Sequence, residues 1–174
     1  KEACPLFLAP TSSTTATLVM GDALAVTLMK LRDFKEENFA KFHPGGSLGR
    51  RLLTTVGDVM KKKNLPIISS QATIKEVIQK ISEGKLGLVV IIDNNKIMGI
   101  ITDGDIRRTM ESREKDFFNL KAEDLMSNHP KLIYESDKLI SASNIMSQHK
   151  INSLLVVNES NDLVGVVQVY DLGV

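Results

Sequence analysis

The chain has 174 residues, 43% of them hydrophobic and 25% charged, which suits one domain or two small ones with a buried core and excludes long disordered tracts. A formal net charge of +1 gives no electrostatic drive toward nucleic acid or an anionic membrane surface. Cys4 is the single cysteine, so an intrachain disulfide and a zinc site built on cysteine pairs are excluded, and a reducing, cytoplasmic setting fits.

The chain opens at Lys1 without an initiator methionine or a signal-peptide pattern, and reads as the middle of a longer protein. "ACPLFLAP" predicts a short buried strand closed by Pro10. "TSSTTATLVMGDALAVTLMKLRDF" predicts a helix, with Thr11, Ser12 and Ser13 as N-cap hydroxyls and Leu18, Ala25, Leu28 and Met29 on an apolar face. Gly21 and Asp22 interrupt that pattern, which predicts a buried contact or a close backbone approach there. Together with Lys30 they leave the stretch from Ala16 to Leu31 short of a bilayer span. "KEENFAKFH" predicts a shorter helix with Phe39 and Phe42 three apart. One strand and two helices cannot close a core, so this piece is expected to pack against something outside the sequence or to be partly disordered.

"KFHPGGSLGRRLL", from Lys41 to Leu53, comes next. On chemistry alone His43 is a turn histidine ahead of Pro44. "GGSLGRR" lacks the Gly-Lys-Ser/Thr ending of a P-loop, so it does not cradle a nucleotide by that motif. Gly45 and Gly46 let the backbone turn sharply beside the histidine.

The remaining two-thirds repeats itself. "VGDVM" (Val56 to Met60) is matched by "AEDLM" (Ala122 to Met126), and "IMGIITDGDI" (Ile97 to Ile106) by "LVGVVQVYDL" (Leu163 to Leu172). Asp58 and Asp124, Gly99 and Gly165, and Asp105 and Asp171 are each 66 residues apart; between these anchors the offset is 65, with the indels in turns. Each repeat predicts strand, helix, strand, strand, helix. Short strands lie at "PII" and "KLIY". Helices follow, with Ile74, Val77, Ile78 and Ile81, or Leu139, Ala142, Ser143 and Met146, on one face. Apolar strands come next at "LVVIID" and "LLVVN". After polar turns come "IMGIIT" and "LVGVVQ", and the last helices start at "DGDIRRTM" and "VYDLG". Units of this size have small cores, so the two repeats should pack sheet to sheet.

These paired units, from about Thr55 to the C-terminus, resemble tandem cystathionine-β-synthase (CBS) domains. The resemblance implies an α+β fold of two βαββα repeats related by a pseudo-two-fold. It also implies clefts between repeats that take adenosine nucleotides or related phosphorylated ligands, and dimerisation of such pairs into a disk.

"GIITDGDI" has a logic of its own. A strand ends at Thr102 and a helix opens at Asp103 to Asp105. Thr or Asp there can cap free backbone N–H groups, or those N–H groups and the hydroxyl can meet a ligand phosphate. Asp105 offers two acceptors to a ribose cis-diol, and the resemblance places an acidic residue at the ribose. Thr102 and Asp105 are therefore one candidate ligand site. In the second repeat Gln168 replaces the threonine and Tyr170 precedes Asp171, so that cleft is expected to be altered or empty, with Asp171 better read as a cap. Asp58 also reads as a cap, while the resemblance makes Asp124 a cleft residue. Lys61 to Lys63 read as a solvated loop. His129 and His149 have no partners at zinc-ligand spacing.

Taken whole, "KEACPLFLAPTSSTTATLVMGDALAVTLMKLRDF … FAKFHPGGSLGRRLL" followed by such a pair resembles the arabinose-5-phosphate isomerase family. The resemblance implies that residues 1–53 are the C-terminal strand and helices of an α/β sugar-isomerase (SIS) domain, followed by CBS units at 54–111 and 112–174. It implies interconversion of D-ribulose 5-phosphate and D-arabinose 5-phosphate, supplying the sugar acid Kdo for lipopolysaccharide, or related capsule or sugar-alcohol pathways. No metal or required cofactor is implied; AMP, ATP or CMP-Kdo is implied as ligand of the pair. A CBS-mediated dimer within a tetrameric parent is implied too. By resemblance Glu2 of "EACP" and His43 of "HPGG" are catalytic, whereas a lysine, a second glutamate and a Ser-rich phosphate loop of the family have no match here. Aldose–ketose isomerisation moves a proton between C1 and C2 through an enediol. A carboxylate serves as base if burial raises its pKa, and histidine titrates near neutrality. The chain alone is expected to be inactive. A ligand sensor or dimerisation module without catalysis is the alternative.

Overall fold

Ala, Leu and Met make up much of the segment Ser12–Leu31, and no proline falls inside it, so strong helix formers outweigh Gly21 and Asp22. In the computed structural model, which describes residues 1–42 and 46–173, this segment is one unbroken helix, α1. A Cβ on Gly21 would meet nothing within 4 Å, so no close approach requires the glycine. α1 has no buried residue. With 20 residues and a mean hydropathy of 1.2 over an 18-residue window it is, by length and composition, long and apolar enough to cross a membrane. This corrects the expectation from Gly21, Asp22 and Lys30: a continuous helix averages over two charges. Core helices of globular proteins have the same profile.

The predicted strand at "ACPLFLAP" does not form. The segment makes a turn instead, with the Phe7 N–H donating to the Cys4 carbonyl at 3.0 Å, and Leu6, Phe7 and Leu8 exposed. A strand needs an edge to pair with, and the described residues before Gly49 contain none. The chain divides into two units, Lys1–Gly49 and Arg50–Val174. The first holds α1 and α2 (Glu36–Phe42); α3 (Ser47–Leu53) runs into the second.

In the second unit, α4 (Val56–Val59) leads into β1 (Ile67–Ile68), α5 (Ile74–Gly84), β2 (Leu88–Asp93), β3 (Lys96–Thr102) and α6 (Asp103–Ser112). After a 3-10 turn at Phe117–Asn119, α7 (Ala122–Leu125) leads into β4 (Leu132–Tyr134), α8 (Leu139–His149), β5 (Ser153–Val157), β6 (Leu163–Gln168) and a closing 3-10 turn at Val169–Leu172. Runs of Val, Ile and Leu make the central strands. β2 and β3 pair antiparallel around Asn94 and Asn95, whose φ values of 48° and 61° are the left-handed pair that a tight hairpin turn of this kind uses. β1 joins β2 in parallel, and β4, β5 and β6 repeat the arrangement. The parallel pairs require crossovers, which α5 and α8 supply. Thr73 and Glu76 start α5 with a reciprocal capping box, while α5 and α8 end on Lys85 and Lys150 in left-handed conformation.

The two repeats exchange their lead-in segments. The Val56 N–H donates to the Asp137 carbonyl and the Gly57 N–H to that of Glu135; in mirror fashion the Ala122 N–H donates to the Ala72 carbonyl and the Glu123 N–H to that of Ser70. One core cluster therefore joins Val56 and Met60 to Ile133, Leu139 and Met146, and another joins Ala122 and Leu125 to Ile74, Val77 and Ile81. A third lies between the sheets, where Leu88 and Val90 meet Leu155 and Val166, consistent with the sheet-to-sheet packing expected from the repeat.

Candidate functional site

The strand-to-helix turn of the first repeat is a reciprocal cap. The Thr102 hydroxyl oxygen accepts from the Asp105 N–H at 3.3 Å, while Asp105 Oδ2 accepts from the Thr102 N–H at 2.8 Å and from its hydroxyl at 2.6 Å. Asp105 Oδ1 accepts from Arg108 Nη2 at 2.7 Å. The carboxylate side chain is 15% exposed and the guanidinium side chain 69%, so this ion pair holds its geometry more than it stabilises the fold. Thr102 and Asp105 thus act as a cap and also face a cleft.

That cleft has a volume of about 840 Å³ and draws on both repeats, a size that fits a nucleotide-scale ligand. The first repeat contributes Gly87, Thr102, Asp103, Asp105 and Arg108; the second contributes His129, Lys131, His149, Lys150, Gln168 and Tyr170. Arg108, Lys131 and Lys150 line it together with Asp103 and Asp105; Arg108 is already paired with Asp105, so Lys131 and Lys150 are what incline the lining toward an anionic ligand. Gly87 on the wall has φ 64°, in the left-handed region that favours glycine, and a Cβ there would sit 3.1 Å from Asp103 Oδ2. A smaller recess of about 470 Å³ around Ile68, Gln71 and Lys80 contains none of the expected site residues.

Asp124 and Asp171 do not line the larger cleft. Asp124 Oδ2 accepts from the Lys121 N–H at 2.8 Å and caps α7. Asp171 Oδ2 accepts from the Gln168 N–H at 2.8 Å in the closing turn. Asp58 caps α4: its Oδ2 accepts from the Thr55 hydroxyl and N–H, and these bonds, helped by Lys138 and Lys62, hold its carboxyl below the usual range. The cation wall escaped sequence reading because Arg108, Lys131 and Lys150 are scattered along the chain. The fold brings them together, and no spacing in the sequence groups them. Among the described residues no group of three or more His, Cys, Asp or Glu side chains is arranged to hold a metal.

Of the expected catalytic pair, His43 lies outside the described residues. Glu2 caps α1. Its Oε2 accepts from the Thr11 N–H at 2.7 Å, the Thr11 hydroxyl at 2.9 Å and the Ser13 N–H at 3.3 Å. Hydrogen bonds from Ser13 and Thr11 lower its pKa from 4.5 to about 2, since they favour the charged form. The condition set for a base, a carboxyl raised by burial, is not met in this structure. The expected Thr11, Ser12 and Ser13 hydroxyl caps are also displaced: Thr11 occupies the N-cap without a side-chain cap bond, and the glutamate performs that role.

A CBS domain family model matches residues 56–112 and 122–172. The chain is 45% identical over 168 residues to a probable arabinose 5-phosphate isomerase of Haemophilus influenzae, covering 97% of this chain and 50% of that protein. It is 44% identical over 174 residues to arabinose 5-phosphate isomerase KdsD of Francisella tularensis, covering 99% and 53%. The chain therefore spans about half the length of the curated relatives it matches. Among solved structures, the CBS domain protein PAE2072 from Pyrobaculum aerophilum complexed with AMP aligns with a TM-score of 0.61 at 24% identity, over 68% of this chain and 89% of that one. The CBS domain pair of MJ0100, in complex with 5-methylthioadenosine and S-adenosyl-L-methionine, aligns equally well, at 0.61 and 24%, over 69% and 93%. At that identity both likenesses speak to the fold.

Proposed function

The chain belongs to the CBS domain family, and from that premise we propose that it is the regulatory, nucleotide-binding half of an arabinose 5-phosphate isomerase. The observation that carries this reading is the match along 97–99% of the chain to such isomerases at 44–45% identity. Residues 1–53 then end the sugar-isomerase domain, and the units at 54–111 and 112–174 form the ligand-sensing module of a cytoplasmic enzyme. The exposed apolar side chains of α1, among them Leu18, Met20, Leu24 and Leu31, suit a helix that completes a core supplied by the rest of the enzyme. Glu2 and His43 are its catalytic contributions. For Glu2 to act as base, its bonds to Thr11 and Ser13 have to be broken or outweighed by desolvation, because a carboxyl with a pKa of about 2 is a poor base at neutral pH.

The cleft supports the ligand role: Thr102, Asp105 and the Arg108 paired with it share a space of nucleotide size with Lys131 and Lys150. A ligand that binds only the folded pair stabilises it by mass action, by about 2.7 kcal/mol at a concentration 100 times Kd. Thermal denaturation with AMP, ATP, CMP and CMP-Kdo therefore tests the reading, and the expected outcome is a rise in Tm with at least one. Asp105→Ala should reduce that rise, and an unchanged rise would place the ligand elsewhere. No shift at millimolar ligand would leave a pair that only joins subunits, in a dimer within a tetrameric parent. The chain by itself should not interconvert arabinose 5-phosphate and ribulose 5-phosphate, and measurable turnover would refute the split of the catalytic set.

A further inference from the structure

The two halves of the cleft differ at three positions that the repeat makes equivalent. Thr102 is matched by Gln168, Gly104 by Tyr170, and Leu88, the strand partner of Thr102, by Ser153, the strand partner of Gln168. In the first repeat the Thr102 hydroxyl bonds only within its own turn, to Asp105. In the second, Gln168 Nε2 donates to the Ser153 hydroxyl oxygen and, across to the other repeat, to the Leu86 carbonyl, both at 3.0 Å. Both amide hydrogens are thereby used, and the amide bridges the repeats on the wall where the other half presents a short hydroxyl. Displacing it would leave two donors and two acceptors to be satisfied again. Tyr170 adds a phenol, 84% exposed, where Gly104 leaves its place to the Arg108 guanidinium, 3.2 Å from where a Cβ would stand. The first turn opens the ten-residue helix α6; the second opens a 3-10 turn of four residues.

Resting on the reading of this cleft as a ligand site, we propose that Gln168 closes its second half, so that each chain takes one nucleoside phosphate rather than two. The ligand sits against Thr102, Asp105 and Arg108. The second repeat lends the cations Lys131 and Lys150 but offers no subsite of its own. Gln168 is thus a positioning residue that sets stoichiometry by tying the repeats together.

Isothermal titration calorimetry of the 174-residue chain with AMP, CMP and ATP in turn counts the sites. One equivalent per chain is expected for each nucleotide that binds. Gln168→Thr restores a short hydroxyl and releases the Leu86 carbonyl, and a second equivalent is expected to appear. Two equivalents on the unaltered chain would overturn the single-site assignment and leave the cleft as a ligand site. Absence of binding by all three nucleotides would overturn the ligand reading itself. One equivalent on a folded Gln168→Thr protein would remove Gln168 from the explanation. Should that variant fail to fold, amide chemical shifts of the unaltered chain decide. Perturbation centred on Thr102 to Arg108 supports the assignment, and perturbation centred on Ser153 and Gln168 overturns it.

Discussion

A carboxylate placed near a run of Thr and Ser reads equally well as a catalytic base or as a helix cap, and at Glu2 the hydrogen bonds decide. Three donors from Thr11 and Ser13 converge on one oxygen. The folded pKa lies below the ordinary value, so the stabilisation is whole above the ordinary 4.5 and is lost as pH falls through about 2. A carbon-13 titration of the Glu2 carboxyl should show a midpoint near 2, with the Thr11 and Ser13 amide resonances moving in step. A midpoint near 4.5 would sink the cap. Glu2→Gln should abolish the coupled movement, because the amide no longer titrates. The same logic assigns Asp58, Asp124 and Asp171: each accepts from the backbone three residues earlier, a spacing that is visible in the sequence as a capping pattern. Asp105 makes that bond too, yet it also faces the cleft, and burial on one side of the turn is not visible in a string of letters.

Glycines placed one repeat apart lie where segments cross. Each lead-in segment pairs with the other repeat's last strand: Lys61 exchanges backbone bonds of 2.9 and 3.0 Å with Val166, and Ser127 exchanges bonds of 2.9 and 3.2 Å with Ile100. Gly165 and Gly99 are the residues just before those partners, and they let the crossing segments approach. A Cβ on Gly165 would fall 2.5 Å from Met60 Sδ and 2.9 Å from the Lys61 carbonyl oxygen; on Gly99 it would fall 2.7 Å from the Ser127 carbonyl oxygen. The methionine can shift, but the paired carbonyls cannot without losing their bonds. Gly165→Ala and Gly99→Ala should each cost about 1–3 kcal/mol in urea denaturation, with the m-value unchanged. A cost near zero would mean that the crossing segments are free to move apart. Strands, turns and the repeat were legible because alternation and indels in turns follow from local geometry. Gly99 and Gly165 were legible as equivalents, but what they touch depends on which repeat each lead-in helix chooses. "ACPLFLAP" misled for the opposite reason, since its apolar run looks like a strand whether or not an edge is present to receive it.

The exchange of lead-in helices makes the pair one folding unit, although its sequence divides into two. α4 precedes the first repeat and is buried with the second, tied by Val56 and Gly57 to backbone around Glu135 and Asp137; α7 does the reverse through Ala122 and Glu123. The link from the N-terminal unit follows the same rule. Lys138 Nζ donates to the Leu53 carbonyl at 2.8 Å and the Leu139 N–H to that of Thr54 at 3.1 Å, so the chain arrives on the second repeat before it builds the first. Cutting before the last residue of α6, ahead of α7, therefore gives two pieces, each holding a helix that belongs in its partner's core and lacking the one it needs. Units of this size are marginal even with a complete core. Residues 54–111 and 112–174 expressed separately should be largely unfolded by circular dichroism, and mixing them should restore the native spectrum with a midpoint that depends on concentration. The uncut pair should unfold in one transition, with the same midpoint by far-ultraviolet circular dichroism and by amide exchange in β2 and β5. A cooperative melt from either piece alone would show that its own strands and helices suffice, and that the exchanged helices decorate the fold instead of joining it. If the pieces behave as expected, a ligand seated between Arg108 and Lys150 contacts both parts of one interleaved core.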